Sequence, residues 1–163
     1  GQWGGGGSYE AKLKRRAQAK AAGKVLFVGR VPAQEAIKMW HDFDCAIHVP
    51  HSENCGGVVE PLAAQVPTIA SNVGGLPEVV LDGLTGWIVP VGQPRILADR
   101  IQAVLADPGT AQKRAQAGQK LVTHMFDVNR TGAEIAQIYA YLLGLSAEKP
   151  QPFNAQAFVT PTG

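Results

Sequence analysis

Charge is scarce in this chain of 163 residues: 17% of its side chains are charged and the formal net charge is +2, which gives no reason to expect a nucleic-acid partner. Long apolar runs are missing as well. None approaches the ~20 residues a membrane-crossing helix needs, and no signal peptide is visible. Two cysteines, Cys45 and Cys55, make no disulfide framework, so a reducing, cytoplasmic setting is expected. No G-x-G-x-x-G opens a helix with an acid about 20 residues further on, which counts against a dinucleotide-binding dehydrogenase domain. Apolar and small residues are abundant. A hydrophobic content of 45% with 19 glycines fits a loop-rich α/β chain, long enough for one domain with a real core.

The most informative stretch runs from Pro50 to Glu78. The apolar run Ala46-Ile47-His48-Val49 before it reads as a buried parallel strand, and the cluster Ser52-Glu53-Asn54-Cys55-Gly56-Gly57 leads into a short helix that opens at about Gly57. A helix start leaves several backbone N–H groups without partners, and a glycine pair lets a ligand approach them without meeting a Cβ. An anion is the natural occupant. Glu60 falls about one turn into the helix, placed to offer a carboxylate to a diol; as a plain first-turn acid it would only complement the helix dipole.

Other pieces follow in order: Val66-Pro67-Thr68-Ile69-Ala70, then Gly74-Gly75-Leu76-Pro77-Glu78-Val79-Val80, then Asp82-Gly83-Leu84-Thr85-Gly86-Trp87. With Ser52-Glu53, the glycine pair and Glu60, this series resembles the donor-binding domain of the retaining glycosyltransferases of the GT-B fold, family 4 type (glycosyl transferases group 1). The likeness extends over roughly residues 4 to 145. It implies an α/β fold: a Rossmann-like parallel sheet with helices on both faces, the C-terminal half of a GT-B fold, incomplete at its N-terminus. Residues 1-145 would be the partial nucleotide-sugar-binding domain and 146-163, with Pro150, Pro152 and Pro161, a disordered tail.

The resemblance implies roles by position. Glu53 becomes the catalytic-site acid that hydrogen-bonds hydroxyls of the donor sugar, and Glu60 holds the ribose diol. Backbone N–H groups of Asn54, Cys55, Gly56, Gly57 and Val58 meet sugar and pyrophosphate, and Gly29, Arg30 and Val31 read the base through main-chain atoms. The two glutamates stand seven positions apart here, where the family sets them eight apart with an aromatic before the glycine. Glu60 is therefore the firmer transfer. An Arg and a Lys that stabilise the leaving phosphate belong to a family segment this chain lacks, and Arg30 is not their substitute. The nucleotide-sugar, carrying UDP, GDP or ADP, is a substrate, so no cofactor and no metal are implied. An N-terminal acceptor domain is the implied missing partner. The alternative function is a non-catalytic module that binds a nucleotide or sugar phosphate.

The rest of the chain is read as scaffold. Gly4-Gly5-Gly6-Gly7-Ser8 matches a common engineered linker but also sits where the family has a strand-ending glycine turn. Tyr9 to Ala22 is helical, with Leu13, Ala17 and Ala21 on one face. Lys12, Lys14, Arg15, Arg16 and Lys20 lie elsewhere, as a solvated surface or a peripheral membrane contact. Val25-Leu26-Phe27-Val28 reads as a buried parallel strand. Pro32 to Trp40 is a helix burying Ala33, Ala36, Ile37 and Trp40. Cys45, His48, His51 and Cys55 have zinc-ligand spacing, but side chains alternate along a strand, so Cys45 and His48 face opposite ways and cannot share one metal. Gln65 takes a helix-ending position where the family favours glycine, which predicts a positive φ. The pair Gly74-Gly75 is expected to shape the cleft wall. Helices follow over Ile96 to Leu105, Gly109 to Met125 and a final stretch with Ile135, Ile138, Tyr139 and Leu142 spaced for burial.

Overall fold

The computed structural model describes residues 6–160. The chain falls into two compact units, Gly1–Ala36 and Ile37–Gly163.

In the first unit, α1 (Gly6–Ala21) carries Ala17 and Ala21 half-buried and leaves its five Lys and Arg residues exposed. Gly23 ends it at φ 73°, the left-handed conformation for which glycine is the default. The turn read into the opening glycines falls partly outside the described residues, at Gly4 and Gly5, while Gly6 and Gly7 begin α1. The stretch Val25-Leu26-Phe27-Val28 is not a buried strand. It joins no ladder among the described residues, Leu26 is 84% exposed, and its packing is the Lys14 ammonium over the Phe27 ring at 5.7 Å. Without a neighbouring strand, apolar composition alone does not make sheet.

α2 (Ala33–Met39) passes into a 3₁₀ turn at Trp40–Asp42. It buries none of its residues, and Ile37 stays 55% exposed, so the expected buried stripe is absent among the described residues.

The second unit holds a parallel sheet, β1 (Ala46–His48), β2 (Thr68–Ser71) and β3 (Trp87–Val89), in sequence order, with Ile47 opposite Ile69 and Ala70 opposite Ile88. Between the strands run α3 (Gly56–Ala63) and α4 (Leu76–Val79). After them come α5 (Pro94–Ala106), α6 (Pro108–Met125), α7 (Val128–Leu142) and α8 (Ala155–Val159).

β2 is central and buried throughout. Its residues alternate between two cores, as the period of a strand requires. Ala70 joins Val58, Leu62, Leu76, Val79, Val80 and Val122 on one face; Ile69 joins Trp87, Val89, Val104 and Ala111 on the other. Helices thus cover both faces of the sheet. The hydroxyls of the buried Thr68, Ser71 and Thr85 are each paired: Thr68 Oγ1 donates to Val66 O (2.8 Å), Ser71 Oγ to Pro50 O (2.9 Å) and Thr85 Oγ1 to Val79 O (3.0 Å), as burial demands. β1 is the exception to the buried reading. It is an edge strand in this sheet, so Ile47 is 46% exposed and only Ala46 is buried.

α6 lies across α3 at Gly118, where a Cβ would stand 2.6 Å from Leu62 Cδ2 and 3.0 Å from Thr85 O. α6 is capped by Asp107, whose carboxylate accepts from Thr110 N. On α7, Ile135, Ile138, Tyr139 and Leu142 remain exposed; no element among the described residues covers that face. After Ser146, α8 packs on α6, and Phe153 and Phe158 lie against His124 at ring-centroid distances of 5.0 and 4.5 Å. No helix among the described residues is long and apolar enough to cross a membrane.

Candidate functional site

The site is assembled from the loop leaving β1 and the start of α3. Ser71 at the end of β2 ties the loop down through Pro50. From there Glu53 and Asn54 fold back on the backbone: Glu53 Oε1 accepts from Asn54 N (2.8 Å), and Asn54 Oδ1 accepts from Gly56 N (2.9 Å). Asn54 therefore does the capping that Cys55, at the N-cap position, does not.

Of the five N–H groups in this turn, those of Asn54 and Gly56 are spent on side chains and that of Val58 on Cys55 O (3.3 Å). Those of Cys55 and Gly57 have no partner among the described residues, and they point to where an anion can bind. Val58 offers a ligand neither a free N–H nor its side chain, which is fully buried.

The two glycines of the pair differ. At Gly56 an added Cβ would meet only Asn54 Oδ1, at 3.4 Å, so this residue leaves the approach open. At Gly57 the space is already filled: a Cβ there would collide with the imidazole of His48. The ring of His48 closes one side of the helix start, with Nε2 buried, 3.4 Å from Glu53 Oε2, and not oriented to hydrogen-bond. Glu53 is thereby held between Asn54 N and the His48 ring, its side chain 28% exposed.

Glu60, on the exposed side of α3, accepts from Trp40 Nε1 through Oε2 at 3.3 Å. One oxygen is engaged and the other remains for a ligand hydroxyl. Gly74 and Gly75 pack against the same loop: a Cβ on Gly75 would lie 3.2 Å from Asn54 O, and one on Gly74 would overlap Glu53 O. The second glycine pair thus forms the wall against which the first loop rests.

Glu53, Asn54, Cys55, Gly56, Gly57, Val58 and Glu60 come together on this one loop and helix. Gly29, Arg30 and Val31 lie in the first unit, between α1 and α2, with Gly29 at φ 71° and Arg30 exposed. Three contributors escaped sequence reading. Trp40 and His48 were assigned to a buried stripe and to a strand, and Ser71 to nothing; only the packing reveals that they hold Glu60, Gly57 and the loop.

Cys45 packs with the core face of Ile69 and Trp87, and burial, with the Asp44 carboxylate adding to it, pushes its thiol up to about 11. A neutral thiol at pH 7 is neither a nucleophile nor a metal ligand. The chain does contain one Asp-x-Asp triplet, Asp42-Phe43-Asp44, which stands before β1, at the end of the strand opposite to the loop. Among the described residues no group of three or more His, Cys, Asp or Glu side chains gathers around a point where a metal could sit.

Known proteins are similar to this chain in sequence and in fold. Glycogen synthase of Mycobacterium tuberculosis is 37% identical over 128 residues, covering 77% of this chain and 30% of that enzyme. The chain therefore spans under a third of that relative's length. HepE of Anabaena, solved in complex with UDP and glucose, superposes with a TM-score of 0.75 at 23% identity, over 83% of this chain and 37% of HepE. The C-terminal domain of LpcC, a group 1 glycosyl transferase of Francisella tularensis, superposes with a TM-score of 0.66 at 24% identity, over 74% of this chain and 64% of that domain. These likenesses carry the fold, that of the C-terminal domain of GT-B glycosyltransferases. The family described as "Glycosyl transferases group 1" matches residues 4–121, most of the sequence, and by that match the chain belongs to the group 1 glycosyl transferases.

Proposed function

We propose that this chain is the donor-binding part of a retaining glycosyltransferase, which moves a hexosyl group from a nucleoside-diphosphate sugar to an acceptor hydroxyl. One observation carries the reading most: Glu53, the open face at Gly56, the unspent N–H groups of Cys55 and Gly57, and Glu60 all belong to one rigid turn into α3. The N–H groups and the helix dipole suit a pyrophosphate. Glu60 suits a ribose diol, and Glu53 the hydroxyls of the sugar beside it. That HepE binds UDP and glucose on a similar fold supports the choice of ligand class.

In the transfer, the bond from the anomeric carbon to phosphate breaks while the acceptor oxygen bonds to the same carbon on the same face. Negative charge collects on the departing phosphate, where fixed N–H donors stabilise it more than they stabilise the ground state. The acceptor site and the cationic residues that complete this stabilisation belong to the remainder of a longer protein, so the isolated chain binds donor but transfers little or nothing. A calorimetric titration with UDP, GDP, ADP and NAD tests the reading. Saturable binding of one nucleoside diphosphate, weakened about tenfold or more by Glu60→Ala, is expected; binding of NAD alone, or no binding by a folded sample, overturns it.

A further inference from the structure

At the end of the strands opposite to the Glu53 loop, a second concavity of about 540 Å³ opens between the residues that precede β1 and β2, the end of α3 and the start of α6. Its wall contains the rings of Trp40 and Phe43, set edge to face with centroids 5.7 Å apart and planes at 69°. It also contains the Asp44 carboxylate and three amides, Gln65, Gln112 and Gln119. No lysine or arginine lines it. Its volume is within the ordinary range of small-molecule sites.

Gln65 is the residue that marks this place. It is the only non-glycine residue with positive φ (58°) among those described, a conformation that costs roughly 1 kcal/mol relative to glycine. What the position gains is the side chain. Gln65 Nε2 donates to Gln119 Oε1 at 2.8 Å, Gln65 Oε1 accepts from Gln112 Nε2 at 3.3 Å, and Gln119 Nε2 donates to Ala63 O at 3.1 Å. The three amides are locked as a row, yet each keeps one N–H unspent, and Gln112 Oε1 keeps its lone pairs. The positive φ is that of a helix-ending residue, with Val66 N donating to Pro61 O at 2.9 Å; what sets the place apart is an amide row fixed in orientation at the edge of a cavity.

The ligand chemistry follows from the lining. A phosphate or other anion would find the Asp44 carboxylate opposing it and the His41 imidazole as the one basic group, with no lysine or arginine, and an apolar ligand would strand the amide row. Aromatic rings offer a surface for the C–H face of a sugar ring, while planar amides and a carboxylate exchange hydrogen bonds with neutral hydroxyls in both directions. We propose that this pocket binds a neutral oligosaccharide, at a site separate from the nucleotide-sugar loop. The inference goes beyond the donor reading and does not rest on it: the pocket contains none of the loop residues, and Trp40 alone is common to both, its ring lining the pocket and its Nε1 donating to Glu60.

The test is calorimetric titration of the full 163-residue chain with α-1,4-linked glucohexaose and with α-1,6-linked mannohexaose, each repeated in the presence of UDP. One of the two is expected to bind saturably, unaffected by UDP and by Glu60→Ala. Gln65→Gly and Gln112→Ala should each weaken it about tenfold or more, while Gln65→Gly leaves the melting temperature unchanged or higher by relieving the backbone. Gln112 is exposed, so its variant keeps the test sound even if Gln65→Gly disturbs folding. Failure of both oligosaccharides to bind, displacement by UDP, or unaltered affinity in Gln112→Ala would each overturn the proposal. A chain that binds oligosaccharide but no nucleotide would instead overturn the donor reading and leave this one standing.

Discussion

The carbonyl oxygen of Glu53 occupies the place that a Cβ on Gly74 would take, so two loops separated by a helix and a strand are fitted to each other at van der Waals contact. Gly74 is at φ 51°, so an alanine there meets two penalties at once. The left-handed conformation costs about 1–2 kcal/mol, and overpacking against immobile backbone about 1–3 kcal/mol. Gly74→Ala should therefore destabilise the chain by more than about 2 kcal/mol in urea unfolding. It should also weaken nucleotide binding, because the yielding partner is the loop that carries Glu53. A change within about 0.5 kcal/mol, the ordinary range of an innocuous surface substitution, would remove the interlock from the account.

Gly57 and His48 form the second such fit, with a side chain instead of backbone as the obstacle. Gly57→Ala alone should cost about 1–3 kcal/mol by displacing the imidazole. In a His48→Ala background the same change should become nearly neutral, since the space is then free. A double-mutant cycle reads this directly, with an expected coupling of at least about 1 kcal/mol. Additive losses would mean that His48 is not what makes glycine necessary at that position.

Trp40 donates to Glu60 at 3.3 Å, a long hydrogen bond to a charged acceptor. Trp40→Phe keeps a ring but removes the N–H, which frees the carboxylate to rotate. On the donor-site reading, affinity for the nucleoside diphosphate should fall by about 1 kcal/mol, roughly fivefold, with the fold intact. Combined with Glu60→Ala, the tryptophan change should have no additional effect; an undiminished effect in that background would show that the indole acts on its own.

Acid should loosen the helix starts before the sheet. Asp107 is held below the ordinary carboxylate value chiefly by the backbone N–H of Thr110, and Asp127 by those of Arg130 and Asn129. A carboxyl whose folded pKa lies below its unfolded one contributes stability that is complete above the unfolded value, near 3.8, and is lost as pH falls through the folded value. Asp107→Ala and Asp127→Ala should thus lower the melting temperature at pH 7. They should also flatten its decline below about pH 4. If the variants melt like the parent at pH 7, the caps contribute nothing.

Much of this could be read from the residues. The strand-loop-helix run at Pro50 to Glu60, the positive φ at Gln65 and the helices flanking Asp107-Pro108 are local signals, and local chemistry dictates them: glycine, proline and a capping acid at set offsets. Burial was less legible, because it depends on neighbours far along the chain. Val25-Leu26-Phe27-Val28 has the composition of a strand and no strand beside it, Ile47 is on an edge, and Ile135 to Leu142 carries an apolar face that nothing described covers. The partners of the site residues were illegible for the same reason. No sequence pattern relates Trp40 to Glu60, twenty positions on, or Gly74 to Glu53.

Gly118 sets the rhythm of opening in this molecule. With no Cβ in the way, α6 closes on Leu62 of α3 and on the backbone of Thr85, in the turn before β3. Amide protons of the two helices should then exchange with solvent together, as one cooperative unit. The turn at Gly56 is the first turn of α3, so a ligand arriving there should meet a surface braced from behind by α6.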